Sequence, residues 1–185
     1  SDPRRVVYLW KMTESTETTL SSRAQGCLLG LACGNALGLP YEDVWPATEV
    51  YKKSGGTVRE IDSAERNKPW DDDTAQAVVV ARELSETGRL GLRELAKRLI
   101  VWRNENGRGI PTLVDRVLDE IEGDVPVEEA SEDAFQRLGR NWSANNAAVV
   151  RGSPVAIKFC RDPHRIASET VISAKVTHWN PLCIW

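Results

Sequence analysis

The stretch Trp70-Asp71-Asp72-Asp73-Thr74-Ala75-Gln76-Ala77-Val78-Val79-Val80-Ala81-Arg82-Glu83-Leu84-Ser85-Glu86-Thr87-Gly88 carries two readings in one segment. From Asp72 onward, Ala75, Val78, Val79, Ala81 and Leu84 form an apolar stripe at helical spacing, and Gly88 is a suitable stop because many helices end on a left-handed glycine. The three carboxylates stand where that helix begins, and an Asp there meets the partial positive charge of unpaired amides. One Asp suffices for a cap, however, and three adjacent carboxylates repel one another unless a cation or strong donors compensate. Oxygen-only donors favour a hard ion such as Mg²⁺, Mn²⁺ or Ca²⁺ over zinc. The segment is therefore a capped helix or part of a hard-metal site that needs ligands from elsewhere.

Helical signals continue on both sides. Upstream, Ser22 and Gln25 have the spacing of a capping box, which predicts a helix beginning near Arg23 and running to Gly38. Gly26, Gly30, Gly34 and Gly38 fall on one face of it. Each glycine costs about 1 kcal/mol of helix propensity, so the stripe calls for a close contact from another backbone or a ligand. Between Pro40 and Pro69 the chain reads as a long connection, with Thr57 to Ile61 as a short strand at most. Downstream, amphipathic helices are predicted over 92–104 (Leu95, Leu99, Trp102), 112–121 (Leu113, Val117, Leu118, Ile121), 127–138, 147–159 with a perturbation at Pro154, and 163–176. No alternating pattern or internal repeat competes, so the fold class is all-α.

Composition narrows the function classes. The 185 residues suit one globular domain. With 24 Lys and Arg against 27 Asp and Glu, there is no basic field for a nucleic-acid backbone. The glycine helix is too interrupted by polar residues for a membrane span. The four cysteines, Cys27, Cys33, Cys160 and Cys183, lack a Cys-x-x-Cys pair and read as reduced, mostly buried thiols. The run Val6 to Trp10 is too short for a signal peptide, which makes the cytoplasm the default compartment. Met12 is the only methionine and opens a polar stretch, so residues 1–11 read as upstream translation, a processed leader or an expression remnant, and 1–21 as a disordered leader. The domain is assigned to 22–185 and is expected to be incomplete, because the chain stops at Trp185 without a polar tail or cap.

Three further features could carry chemistry. Gly107-Arg108-Gly109-Ile110-Pro111-Thr112 precedes a helix, where bare amides can cradle a phosphate, although two glycines before a helix are also ordinary turn chemistry. Glu42, at the mouth of the glycine helix, is a possible general acid or base, or a solvated carboxylate. His178 in Thr177-His178-Trp179 is a ligand contact or a structural imidazole.

Taken in order, these segments resemble the ADP-ribosylglycohydrolase family, also called the ADP-ribosylation/crystallin family. Gly26 to Glu42 is similar to that family's opening G-x-x-x-G-x-x-x-G-D-A-x-G-x-x-x-E. Trp70 to Thr74 resembles its W-T-D-D-T motif, Asn145 to Pro154 its G-N-G-x-A-M-R-x-x-P segment, and Thr177-His178 its Thr-His pair. The resemblance implies an orthogonal all-helical bundle with a two-metal centre, magnesium or in some members manganese, at the foot of an ADP-ribose cleft. The implied reaction is metal-dependent hydrolysis of the glycosidic bond between ADP-ribose and a protein side chain or other acceptor. It places Asp71, Asp72 and Asp73 at the metal, with Asp72 and Asp73 also catalytic. By the same resemblance Glu42 stands at the position of an acidic residue implicated in catalysis in some members, and Gly107, Gly109, Asn146 and His178 would contact the substrate.

The departures are equally specific. Asn35 replaces the family's aspartate in G-D-A, Asp71 replaces the metal-ligating threonine, and Asn145 and Ala147 stand where the family has glycines. The distal Asp-x-Asp-Thr motif does not occur after residue 74. The chain is thus expected to be an N-terminal portion with half a metal site, little hydrolase activity of its own, and surfaces open to self-association. The rival readings are a non-enzymatic ADP-ribose or nucleotide-binding module and a crystallin-like structural protein.

Overall fold

The computed structural model describes residues 19–42, 44–58, 60–64, 66–140 and 143–184. The disordered leader expected over 1–21 falls mostly outside this range, though Ser21 is already helical. Among the described residues the fold is all-α. Helix α1 spans Leu20–Gly38, a 3-10 turn covers Leu39–Tyr41, and α2 is Ala47–Lys53. Then come α3 (Asp72–Thr87), α4 (Leu92–Glu105), α5 (Thr112–Glu122) and α6 (Val127–Leu138). The short helices α7 (Ala147–Val150) and α8 (Ser153–Lys158) lead to α9 (Pro163–Lys175) and the single turn α10 (Pro181–Ile184).

Helix α3 is the central element. It packs against α1, α4, α7 and α8, and its Ala77, Val80 and Leu84 are almost wholly buried. Around it, Leu95 and Leu99 of α4, Val114 and Leu118 of α5, Val155 of α8 and Val176 complete the main core. A second cluster joins Leu113 and Val117 of α5 to Ala130 and Ala134 of α6. The connection between α3 and α4 is tied down by two buried carboxylates. Glu83 Oε1 accepts from the Gly91 amide at 2.7 Å, and Glu169 Oε2 of α9 accepts from the Leu90 amide at 2.6 Å.

Several expectations are corrected. Helix α1 starts a turn earlier than Ser22 suggested, because Thr19 Oγ1 already accepts from the Ser22 amide at 3.1 Å and so supplies the cap itself. No residue of α1 is buried. A Cβ at Gly26, Gly30, Gly34 or Gly38 would meet nothing within 4 Å, so the close contact expected of the stripe is absent among the described residues. The cysteines are free but not mostly buried: Cys27 and Cys33 ride on this open helix and Cys160 follows α8, all exposed, with Cys183 half-buried. No strand forms among the described residues of 57–61, and the 40–69 connection contains α2, whose seven residues were too few for a periodic signal. The helix expected over 147–159 divides at Arg151-Gly152, just before Pro154, whose ring suits the first turn of α8 rather than a helix interior.

Candidate active site at the N-terminus of α3

The three aspartates open α3 as the sequence indicated, and each has a separate partner. Asp71 is the N-cap: its Oδ1 accepts from the Asp72 amide at 2.8 Å. Asp72 Oδ2 accepts from Gln76 Nε2 at 3.0 Å, one helical turn on. Asp73 takes both bonds from the side-chain amide of Asn146, Nδ2 lying 3.1 and 3.3 Å from its two oxygens. Asp71 and Asp72 are buried and Asp73 half-buried. Burial pushes the Asp72 carboxyl up to about 8, with further contributions from its bond to Asp71 and from the charges of Asp73 and Asp71. Asp73 is also raised, by burial and then by the Asp71 charge, with the Asn146 bond acting in the opposite direction.

This is crowded negative charge short of compensation, and a hard divalent cation is what such a donor set suits. Among the described residues no three His, Cys, Asp or Glu side chains converge to hold an ion. The carboxylates fit a hard cation in chemistry, and such an ion would need further ligands besides them.

Gly107 and Gly109 have backbone reasons to be glycine. Both have positive φ, 55° and 73°. A Cβ on Gly107 would lie 2.6 Å from the Arg103 carbonyl oxygen, and one on Gly109 would lie 2.5 Å from both carboxylate oxygens of Asp71. The turn between α4 and α5 is thereby pressed onto the aspartates. It is held there by Arg108 Nη1 donating to the Pro69 carbonyl at 2.7 Å and Asn106 Nδ2 to that of Trp70 at 3.4 Å. A cavity of about 210 Å³ adjoins Asp71, walled by Asn35, Thr74, Arg66, Lys68 and Arg108. Asn35, at the position where the family has aspartate, accepts from Thr74 Oγ1 at 2.8 Å and so docks α1 on α3. Glu42 is exposed on the turn after α1. A larger cavity of about 400 Å³, between α3 and α4 and walled by Trp70, Val78, Val101 and Trp102, includes none of the three aspartates.

His178 is placed differently from the expected ligand contact. It is wholly buried, with Nδ1 2.8 Å from Thr177 Oγ1 and Nε2 2.9 Å from Asn145 Oδ1. Asn145 Oδ1 also accepts from the Ala147 amide at 3.0 Å, so the His178 proton resides on Nε2. Burial, then the Arg151 charge, lowers the imidazole to about 3 and keeps it neutral. The side chain that the burial brings forward instead is Arg151, fully enclosed, lowered by desolvation to about 10. Sequence reading singled out neither Gln76 nor Arg151 as a site residue, although Arg151 is the arginine of the Asn145 to Pro154 segment. The available signal was a glutamine one turn after Asp72 on an otherwise apolar face.

The family model for ADP-ribosylglycohydrolase matches residues 16–185, and the chain belongs to that family. It is 28% identical over 164 residues to an uncharacterized protein of Archaeoglobus fulgidus, covering 86% of this chain and 50% of that one. It is 24% identical over 181 residues to ADP-ribosylarginine hydrolase Tri1 of Serratia proteamaculans, covering 89% and 44%. With the ADP-ribosyl-[dinitrogen reductase] glycohydrolase of Rhodospirillum rubrum it shares 24% over 180 residues, covering 90% and 55%. The chain thus spans about half the length of the curated relatives it matches. No solved structure matches it. Among the described residues no helix is long and apolar enough to cross a membrane.

Proposed function

We propose that this chain carries the aspartate half of a metal-dependent ADP-ribosyl hydrolase centre, acting on ADP-ribose attached to a protein side chain. The observation that carries the reading is the meeting, at one end of α3, of Asp71, Asp72 and Asp73 with Asn146 and Gly109, brought from three separate stretches of a family-matched sequence. A Mg²⁺ or Mn²⁺ ion held by the aspartates would orient ribose hydroxyls and activate water. Around it, Asn146 fixes the direction of the Asp73 carboxylate, and the cationic wall of Arg66, Lys68 and Arg108 beside Asp71 suits a diphosphate. The Gly107 amide is spent on the Trp102 carbonyl at 3.1 Å, so Gly109, which lies against Asp71, is the glycine of that turn left to face a ligand, and Glu42 is the carboxylate that the family resemblance assigns to proton transfer. Relatives named for hydrolysis of ADP-ribosylarginine and of ADP-ribosylated dinitrogen reductase support a modified protein as substrate.

The test is calorimetric titration of ADP-ribose into the chain with Mg²⁺ and again with a chelator, paired with release of ADP-ribose from an ADP-ribosylated arginine protein. Binding that requires the metal is the expected result. Binding without turnover identifies a half-centre or a binding module. Absence of heat in both titrations, from folded protein, overturns the proposal in favour of a structural role.

A further inference from the structure

Arg151 is a buried cation with no carboxylate within ion-pairing distance among the described residues, and it is fully enclosed. Its Nη1 donates to Gln76 Oε1 at 2.9 Å. Its Nη2 donates to the Ser173 carbonyl at 2.7 Å, to that of Ala174 at 3.4 Å and to Thr177 Oγ1 at 2.5 Å. Nε has no partner. A guanidinium held this way is costly to bury, and an apolar side chain would fill the space at lower cost. The carbonyls at the C-terminal end of α9 account for part of its stabilisation, since that end of a helix is the negative one. They do not account for the two side-chain bonds, which lead elsewhere.

We infer that Arg151 is the positioning residue of the aspartate site, setting Asp72 and Asp73 through two separate hydrogen-bond arms; this rests on the reading of that site as a metal centre. The first arm follows from the chemistry of the groups. Arginine has donors and no acceptor, so the Gln76 amide must present its oxygen to Arg151 and its NH₂ to Asp72 Oδ2. A flipped amide would set donor against donor at one end and acceptor against carboxylate at the other. The second arm has an equally fixed polarity. Thr177 Oγ1 accepts from Arg151 and turns its hydrogen to His178 Nδ1, and His178 Nε2 donates to Asn145 Oδ1. That oxygen also takes the Ala147 amide and so shapes the turn that carries Asn146, whose Nδ2 reaches Asp73. One cation thus orients the Gln76 amide toward Asp72 and, through Thr177 and His178, holds the Asn145 side chain that braces the turn carrying Asn146 to Asp73.

The experiment measures Mn²⁺ affinity of the whole chain by electron paramagnetic resonance, with circular dichroism as the folding control. Gln76→Leu cuts the first arm, Thr177→Val cuts the second, and Arg151→Lys keeps the charge without the fork. Outer-shell partners of metal ligands commonly contribute about 10- to 100-fold in affinity, and each variant is expected to weaken Mn²⁺ binding by about that range while remaining folded. Wild-type binding with unchanged affinity in folded Gln76→Leu and Thr177→Val overturns the inference. Should the wild-type chain take up no Mn²⁺, the metal reading fails and a second measurement decides the positioning role. The side-chain amide resonance of Asn146 is expected to shift in Thr177→Val, which does not touch Asn146, and an unmoved resonance overturns the two-arm arrangement.

Discussion

Asp72 shows at the residue scale how a site can oppose the stability of its own fold. Its carboxyl is pushed up to about 8 in the folded chain, against an unfolded value near 4. The folded state therefore holds the extra proton between these values, and stability declines as pH rises through that window. Asp72→Asn keeps an acceptor for Gln76 and removes the charge. In chelator, its Tm is expected to exceed that of wild type at pH 8 and to match it near pH 4, by about 2–4 °C for each kcal/mol recovered; a lower Tm at pH 8 counts against the burial argument. The same variant should lose Mn²⁺ binding. Gly109→Ala has the opposite character. A Cβ there meets the Asp71 carboxylate at 2.5 Å on a backbone with φ 73°, so a loss of about 1–3 kcal/mol is expected in urea unfolding, with a weakened metal site.

At the scale of elements, α1 and α9 make contrasting cases. The four glycines of α1 face open space, so Gly30→Ala and Gly34→Ala are each expected to stabilise the chain by up to about 1 kcal/mol, through helix propensity alone. A destabilising effect in thermal melts would show that this face is covered in solution. Helix α9 instead clamps the α3–α4 connection through Glu169, which accepts from the Leu90 amide and pairs with Arg165 at 2.7 Å. Glu169→Ala leaves a buried donor unsatisfied and is expected to cost about 1–3 kcal/mol by urea unfolding.

For the whole molecule, the surface and the acid response are the informative quantities. Leu29, Trp45, Trp70, Val101 and Val149 are each more than half exposed, which leaves several large apolar side chains facing water. Self-association that grows with concentration is expected in light scattering, and a monodisperse monomer at high concentration contradicts it. His178 governs part of the acid limb. Its folded pKa, about 3, lies below the unfolded value near 6.5. The unfolded chain therefore takes up a proton that the folded chain refuses, and stability falls as pH drops from about 6.5 toward 3. His178→Gln should flatten that part of the urea-midpoint profile, and parallel profiles for the two proteins would assign the acid limb to other groups.

What the sequence determined by itself was local. The period of Ala75 to Leu84 with Gly88 behind it set α3, and Val127 to Leu138 was legible to the residue, because helical periodicity and stop signals act over a few neighbours. The aspartate cluster was legible for the same reason, being three adjacent residues, and the family was legible from the order of four short segments along the chain. Tertiary structure alone decided burial and pairing across the chain. It placed Gly109 against Asp71, 38 positions earlier, and Asn146 against Asp73, 73 positions earlier. It buried His178, left the α1 glycines in the open, and enclosed Arg151. Each of these depends on which helix packs on which, a sum over many distant contacts that no short segment encodes.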